Sequence, residues 1–311
     1  MKVKKILVTG AMGQIGSELI TALRKSYGSE NVIASDIRSM NAEQSGPFEI
    51  VDVTDVKQLY KVAKTYEVDT IIHLASLLSA TAEKEPQKAW DLNMGGLINA
   101  LEVARELDLQ VFNPSSIAAF GPSTPQDDTP QDTLLRPNTM YGVTKVSGEL
   151  LCDYYFHKYG VDTRGLRFPG LISYVTPPGG GTTDYAVEIY YGAKKNKSYT
   201  SFIAEGTYMD MMYMPDAIQA VIDLMEASPD RLKHRNAYNI SAMSAAPEDF
   251  AHAIQKYIPE FKLTYDVDPM RQKIAESWPN SLNTIAAEEQ WGFQATYDLD
   301  KMTKDMLEKI S

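Results

Sequence analysis

The stretch KILVTGAMGQIGSELI, Lys5–Ile20, decides the architecture. Its continuously apolar start, Ile6-Leu7-Val8, reads with Lys5 as a first buried strand (Lys5–Val8), and Gln14–Ser26 reads as the helix that follows. The glycines between them divide three tasks. Gly10 permits a tight turn, Gly13 lets the backbone approach a pyrophosphate, and Gly16 lets the helix pack on the strand. Phosphates would then rest on the free N–H groups around Gln14 and Ile15, at the positive end of the helix dipole. Glycine spacing alone is weak evidence, but here it is bracketed by strand and helix. Asp36 also stands twenty residues after Gly16, at the end of a second strand, Val32–Asp36. A carboxylate there accepts both adenosine ribose hydroxyls and repels a 2′-phosphate, so the expected cofactor is NAD rather than NADP. Arg38 is discordant, since it could receive that phosphate; its other reading is a solvated or adenine-stacking side chain.

Outward from this unit the alternation continues. Phe48–Val51 reads as strand, and Val56–Thr65 reads as helix on the spacing of Leu59, Val62 and Ala63. Asp69–Leu74 is the next strand, Pro86–Leu107 a long helix, Val111–Asn113 a strand, Thr139–Tyr159 a helix and Asp162–Arg167 a sixth strand. Strands that are apolar throughout belong to a parallel sheet covered on both faces. Asp52 and Val53, after the third strand, are placed to flank the adenine; Leu74, Ala75 and Ser76, after the fourth, are placed to line the cofactor cleft. Beyond Arg167 the pattern changes. Pro169–Gly181, with three prolines and four glycines, reads as loop ahead of a helix beginning near Thr182. Tyr208–Met214 and the helix Pro215–Met225 are expected to return to the first domain, and Pro247–Tyr257 and Leu299–Lys309 to be helices of the second. The expectation is an α/β protein with a Rossmann-type doubly wound parallel sheet, over 1–167 plus about 207–240. A smaller, discontinuous α/β substrate domain takes about 168–206 plus 241–311.

Composition narrows the function. With 311 residues, 44% hydrophobic and 23% charged, the chain can bury a large core. A formal net charge of −11 argues against nucleic acid or an anionic membrane as partner. The lone Cys152 cannot close an internal disulfide, and no apolar run approaches the ~20 residues of a membrane span. MKVKKILVTG has a basic, apolar start but no small-residue cleavage pattern behind it, so a cytoplasmic protein is expected. His73, His157, His234 and His252 show no metal-ligand spacing, and no metal is expected.

The candidate chemical motif is Tyr141-Gly-Val-Thr-Lys145. Four residues apart on a helix, phenol and ammonium are neighbours on one face. A Lys charge beside the phenol favours phenolate and the oxidised nicotinamide adds a second positive charge; moving a tyrosine from ~10 to ~8 requires about 2.7 kcal/mol, within reach of two cations in a partly dry cleft. The phenolate could then take a proton from a substrate alcohol while hydride leaves the same carbon. Tyr-x-x-x-Lys occurs six times, at Tyr60, Tyr141, Tyr154, Tyr190, Tyr191 and Tyr297, so the pattern decides nothing by itself. Context does. Ser115 and Ser116 end the strand Val111–Asn113, and Ser116 precedes Tyr141 by twenty-five residues, placed to share the substrate oxygen. Tyr60 has Ser35 at the same distance, but that serine lies beside Asp36, away from any nicotinamide.

The glycine loop, Asp36, SSIAAFG (Ser115–Gly121) and YGVTK resemble the extended short-chain dehydrogenase/reductase superfamily, which includes UDP-galactose epimerase-like and dehydratase enzymes. RFPGLISYVTPPGGGTTDYAVEIYYGA (Arg167–Ala193) is similar to the substrate loop of the short-chain-type L-threonine 3-dehydrogenases. SWPNSLNTIAAEEQWGFQATYDLDKM (Ser277–Met302) is similar to that family's C-terminal block, with Asn283-Thr284 standing where an acidic pair is usual. The resemblance implies Tyr141 as base, Lys145 as its support and nicotinamide-ribose ligand, and Ser116 on the reacting hydroxyl. It also implies Ser79, Thr182, Thr183 and Asp184 on an amino-acid substrate, L-threonine, and Asn93, Pro169 and Leu171 along the cofactor channel.

The loop has a physical reading of its own. Thr182 or Thr183 is a good N-cap, and the glycines before it would expose a helix N-terminus to a small carboxylate. Asp184 could receive an α-ammonium, or simply favour the helix dipole. Helices Pro86–Leu107 and Thr139–Tyr159 form a dimer interface in the family, and the aromatic run Tyr154-Tyr155-Phe156 exceeds what one buried face needs, so a homodimer is expected. A sugar-nucleotide epimerase or dehydratase and a non-catalytic NAD sensor are the alternatives.

Overall fold

The computed structural model describes residues 4–39, 45–175, 177, 179 and 181–310. Alternate residues of the central strands face two different cores, which is why the strands read as continuously apolar. β1 (Ile6–Thr9), β2 (Val32–Asp36), β3 (Phe48–Ile50), β4 (Thr70–His73) and β5 (Gln110–Phe112) are joined, past the short β6 (Ser115–Ser116), by β7 (Thr163–Arg164). All pair in parallel, in the order β3-β2-β1-β4-β5-β7. This is a Rossmann-type doubly wound sheet, whose order reverses between β1 and β4.

On one face Leu7, Ile33, Ile71 and Val111 meet α2 (Val56–Thr65), α4 (Pro86–Leu107) and α5 (Met140–Tyr159) through Leu59, Leu101 and Tyr155. Cys152 is buried among them as a small apolar filler. On the other face Val8, Ala34, Ile72 and Phe112 pack against α1 (Gln14–Tyr27) through Leu19 and Leu23.

A second core lies around α6 (Tyr185–Asn196) and a sheet in which β9 (Gly170–Ile172) pairs with Met209–Tyr213 and that strand with Met243–Ala245. The methionine-rich strand joins the two cores. Met212 faces the Rossmann core, whereas Met209, Met211 and Tyr213 face the second. Ala287, Trp291 and Phe293 of the C-terminal block also pack into the Rossmann core, beside the helix Met214–Glu226.

Several elements depart from the sequence-based expectation. The sixth strand is split at Gly165: β7 stays in the central sheet, and β8 (Leu166–Phe168) leaves to pair with β6 and Tyr238–Asn239. Gly165 N donates to Arg235 O at 2.8 Å, and a Cβ there would stand 2.7 Å from Asn113 O, so the chain passes too close for a continuous strand. The segment expected to be loop throughout contains β9, drawn into a sheet by its pairing with the methionine strand. Helix α3 (Ser79–Lys84) was not expected, and α6 begins at Tyr185 rather than near Thr182. Among the described residues no helix is long and apolar enough to cross a membrane.

Candidate active site

A cleft of about 440 Å³ opens where the sheet order reverses, between the loops that follow β1 and β4. Gly10 takes φ +68°, and a Cβ there would stand 2.6 Å from Ala75 N, so the two loops touch through backbone. At Gly16 a Cβ would stand 2.6 Å from Gly10 O, which explains the close seat of α1 on the loop. Gly13 caps α1 without a side-chain hydrogen bond, and the first turn holds no acidic residue. The N–H groups there are therefore open to an anion.

Gly10, Gly13, Gln14, Ile15, Gly16, Arg38, Leu74 and Ser76 line this cleft. So do Ser79, Ser115, Ser116, Tyr141, Lys145, Pro169, Leu171, Thr182, Thr183 and Asp184. The fold thus brings residues from both halves of the chain to one cavity.

Asp36, Asp52, Val53, Ala75 and Asn93 are not part of its lining. Asp36 is buried and accepts from Met12 N at 3.0 Å, Arg38 N at 3.1 Å and Arg38 Nε at 3.0 Å. Burial would raise its pKa, but the hydrogen bonds and charge of Arg38 outweigh burial and hold it below the usual carboxylate range. Asp52 accepts from Thr54 N and Oγ1 at 2.9 and 2.7 Å, closing the turn after β3. Val53 is buried, and its carbonyl accepts from Asn99 at 2.9 Å. Asn93 braces the loop after β4, accepting from Leu77 N at 2.8 Å and donating to Leu77 O and to Thr144 Oγ1, each at 3.2 Å.

The candidate serine, tyrosine and lysine come from β6 and α5. Thr139 caps α5 by accepting from Gly142 N at 3.1 Å, which fixes the first turn and Tyr141 within it. Ser116 hydrogen-bonds the Tyr141 phenol and accepts from Ala118 N at 3.2 Å. Lys145 is buried, with Nζ 5.2 Å from the centre of the Tyr141 ring and donating to Pro114 O at 2.8 Å.

In the polypeptide alone, without the charge of a nicotinamide, burial governs both the phenol and the ammonium. Desolvation pushes Tyr141 up to about 12, against the lowering effect of the Ser116 hydrogen bond. Desolvation also brings Lys145 down to about 8, opposed chiefly by the charge of Glu149. Burial, with the nearby Lys145 charge, takes His73 down to about 4, so it stays neutral. Its Nδ1 is 3.0 Å from Thr9 Oγ1; its Nε2 has no protein partner, and His73, Ala75 and Lys145 line a separate small cavity of about 20 Å³. A cavity of that size has room for one water.

Among the residues that sequence reasoning did not assign to the site are Trp278, Glu149 and Arg167. Trp278, in the C-terminal block, lines the cleft although it lies far along the chain from Tyr141. Glu149 and Arg167 form a buried pair behind the site, with Arg167 Nη2 2.8 Å from Glu149 Oε2 and Nε 3.0 Å from Oε1. Glu149 stood four residues after Lys145, the spacing that already linked Lys145 to Tyr141. At Thr182–Asp184 the expected cap is corrected. Asp184 is the N-cap of α6, in helical conformation, and its Oδ2 accepts from Gly181 N at 2.6 Å.

The chain belongs to the NAD dependent epimerase/dehydratase family, whose model matches residues 6–241. The solved L-threonine dehydrogenase of Clostridium difficile is 67% identical over 100% of this chain and 98% of its own, with a TM-score of 0.98. A monomeric L-threonine 3-dehydrogenase from a metagenome is 43% identical over 98% of each chain, with a TM-score of 0.95. An uncharacterized epimerase/dehydratase of Staphylococcus saprophyticus is 61% identical over 99% of this chain and 97% of its own. Family and fold together are those of an NAD-dependent oxidoreductase of the extended short-chain type.

Proposed function

We propose that the protein is an NAD-dependent L-threonine 3-dehydrogenase, oxidising the 3-hydroxyl of L-threonine to 2-amino-3-oxobutanoate. The observation that carries this reading is one cleft lined by the phosphate-binding glycine loop, by Ser116, Tyr141 and Lys145, and by Thr182–Asp184. The 67% identity to a solved threonine dehydrogenase supports the choice of substrate.

Bound NAD+ would supply the hydride acceptor and a positive charge beside the phenol. Gly10–Gly16 would hold its pyrophosphate, Asp36 with Arg38 would meet the adenosine end, and Pro169 and Leu171 would border the channel. Ser116 orients the substrate hydroxyl and Tyr141 takes its proton. Lys145, already donating to Pro114 O, has two further N–H donors for the nicotinamide ribose and the site interior. Thr182, Thr183 and Ser79 would receive the α-carboxylate, and Asp184 the α-ammonium. Asp52, Val53, Ala75 and Asn93 support the cleft from outside its lining.

The test is NADH formation from NAD+ and L-threonine. Tyr141→Phe is expected to lower kcat by ~10²–10⁴-fold with NAD+ affinity retained, the range for losing a positioned acid–base group. Turnover of a UDP-sugar with none of threonine would establish instead the epimerase reading, which the family description favours. NAD binding without turnover of either would leave a sensor.

The same reading carries three further proposals. One is the two-domain division, amended so that Ala287–Phe293 goes with the Rossmann core. The enzyme works in the cytoplasm. It forms a homodimer through the outer face of α4 and α5, where Trp90, Ile98, Leu150 and Tyr154 are exposed and border one apolar groove.

A further inference from the structure

We propose that Glu149 is a positioning residue of this active site, its buried carboxylate holding Lys145 in the ammonium form. The inference rests on the reading of Tyr141 and Lys145 as the proton-accepting pair.

Tyr141, Lys145 and Glu149 follow one another at four-residue intervals on α5, so all three lie along one stripe of the helix. Glu149 is 4% exposed and Lys145 8%, so neither charge is screened by bulk water. An isolated ammonium in such a place sheds its proton. Arg167 pairs with the carboxylate through two nitrogens, yet the Glu149 charge still acts on Lys145 to raise it. Arg167 Nε and Nη2 face Glu149, whereas Nη1 turns away to Gln131 O at 2.8 Å and Asn239 Oδ1 at 3.1 Å. On the side toward the cleft, Glu149 Oε1 also accepts from the Ser115 hydroxyl, next to Ser116. One carboxylate therefore ties together β6, β8 and α5 at the strands and helix that present Ser116 and Tyr141.

The other titratable groups around the pair do not replace it. His73, from β4, is neutral; Cys152, on α5, is pushed above its ordinary value by burial and stays a thiol; Asp153 is raised by burial and hydrogen-bonded to Asn236. Tyr141 is itself protonated in the polypeptide alone. Glu149 is the group whose negative charge raises Lys145 against desolvation.

The experiment titrates Lys145 by NMR in protein labelled at lysine ¹³Cε, the signal identified by its loss in Lys145→Met. Glu149→Gln keeps an acceptor for Ser115 but removes the charge, and is expected to lower the Lys145 titration by at least ~1 pH unit. Arg167→Gln is expected to raise it, because the carboxylate is then unopposed. A merely structural pair would give no shift, or shifts of the same sign, and either result overturns the proposal. If a single variant does not fold, the double variant Glu149→Gln/Arg167→Gln leaves neither charge unpaired. It is expected to titrate below the parent protein, and an unchanged value overturns the proposal. Kinetics add a second readout: at pH 8, kcat of Glu149→Gln is expected to fall by ~10-fold or more, with the alkaline limb moved to lower pH. The NMR titration needs neither threonine nor NAD+. An enzyme silent on threonine that still shows opposed shifts would refute the substrate reading and leave Glu149 in its role.

Discussion

Asp36 and Arg38 illustrate how a neighbour two residues away changes what a carboxylate can do. The guanidinium takes Oδ1 at 3.0 Å while remaining 62% exposed at the cleft, so it is within reach of an adenosine ribose and its substituents. Asp36→Asn removes the repulsion toward a 2′-phosphate and releases Arg38 to bind it. The ratio of kcat/KM for NADP+ to that for NAD+ is expected to rise by ~10-fold or more, read from initial rates with each cofactor. Gly10 constrains the same site sterically. With φ +68° and Ala75 N in the way of any Cβ, Gly10→Ala is expected to cost about 1–3 kcal/mol of stability, measured by denaturant unfolding. NAD+ affinity should fall with it, because the loop can relieve the contact only by moving away from Ala75.

Helix α5 serves two purposes on two faces. Its inner stripe carries Tyr141, Lys145 and Glu149, while Leu150 and Tyr154 on its outside are 63% and 47% exposed beside Trp90 and Ile98 of α4. If two copies meet there, Leu150→Glu places a charge in a desolvated contact and is expected to shift sedimentation to the monomer at micromolar concentration, with far-UV circular dichroism unchanged. A parent protein that sediments as a monomer would refute the dimer. Helix α6 shows the limit of reading caps from residue type. Thr182 and Thr183 are both good N-caps, yet the helix starts after Asp184, whose carboxylate turns back to Gly181 N. A cap is settled by where the preceding loop lies, and that loop is held by β9.

Across the chain, the junction between the two cores contains a buried acid. Asp210 accepts from Ser241 Oγ at 2.5 Å and Leu282 N at 2.7 Å, without a cation among those contacts. Desolvation pushes it up to about 8, against the lowering effect of those hydrogen bonds. Its carboxyl is therefore protonated in the folded chain at pH values where the unfolded chain has lost the proton. Folded protein binds more protons than unfolded between about pH 4 and pH 8, so this group makes stability fall as pH rises across that window. Asp210→Asn reproduces the protonated form, donating to Ser241 and accepting from Leu282 N. It is expected to flatten the decline of Tm between pH 5 and pH 8, measured by calorimetry. A parallel decline in both proteins would refute this account.

Much of the fold, and the residues that meet at the centre of the candidate site, were legible along the chain. Strand and helix periodicity located the first five central strands and helices α1, α2, α4 and α5 to within one or two residues. Short-range patterns also marked the glycine loop, Asp36, Ser116 and the Tyr141–Lys145 pair, because each depends on spacing within one turn or one strand–helix junction. The break at Gly165, the strand inside Pro169–Gly181, the arrival of Trp278 and the ion pair of Glu149 with Arg167 all depend on partners distant in sequence. The same holds for the chemistry. Residue types named a phenol beside an amine, but whether that phenol lies above or below its ordinary pKa follows from how much water the surrounding elements exclude. That desolvation belongs to packing between remote segments, and no local pattern of residues encodes it.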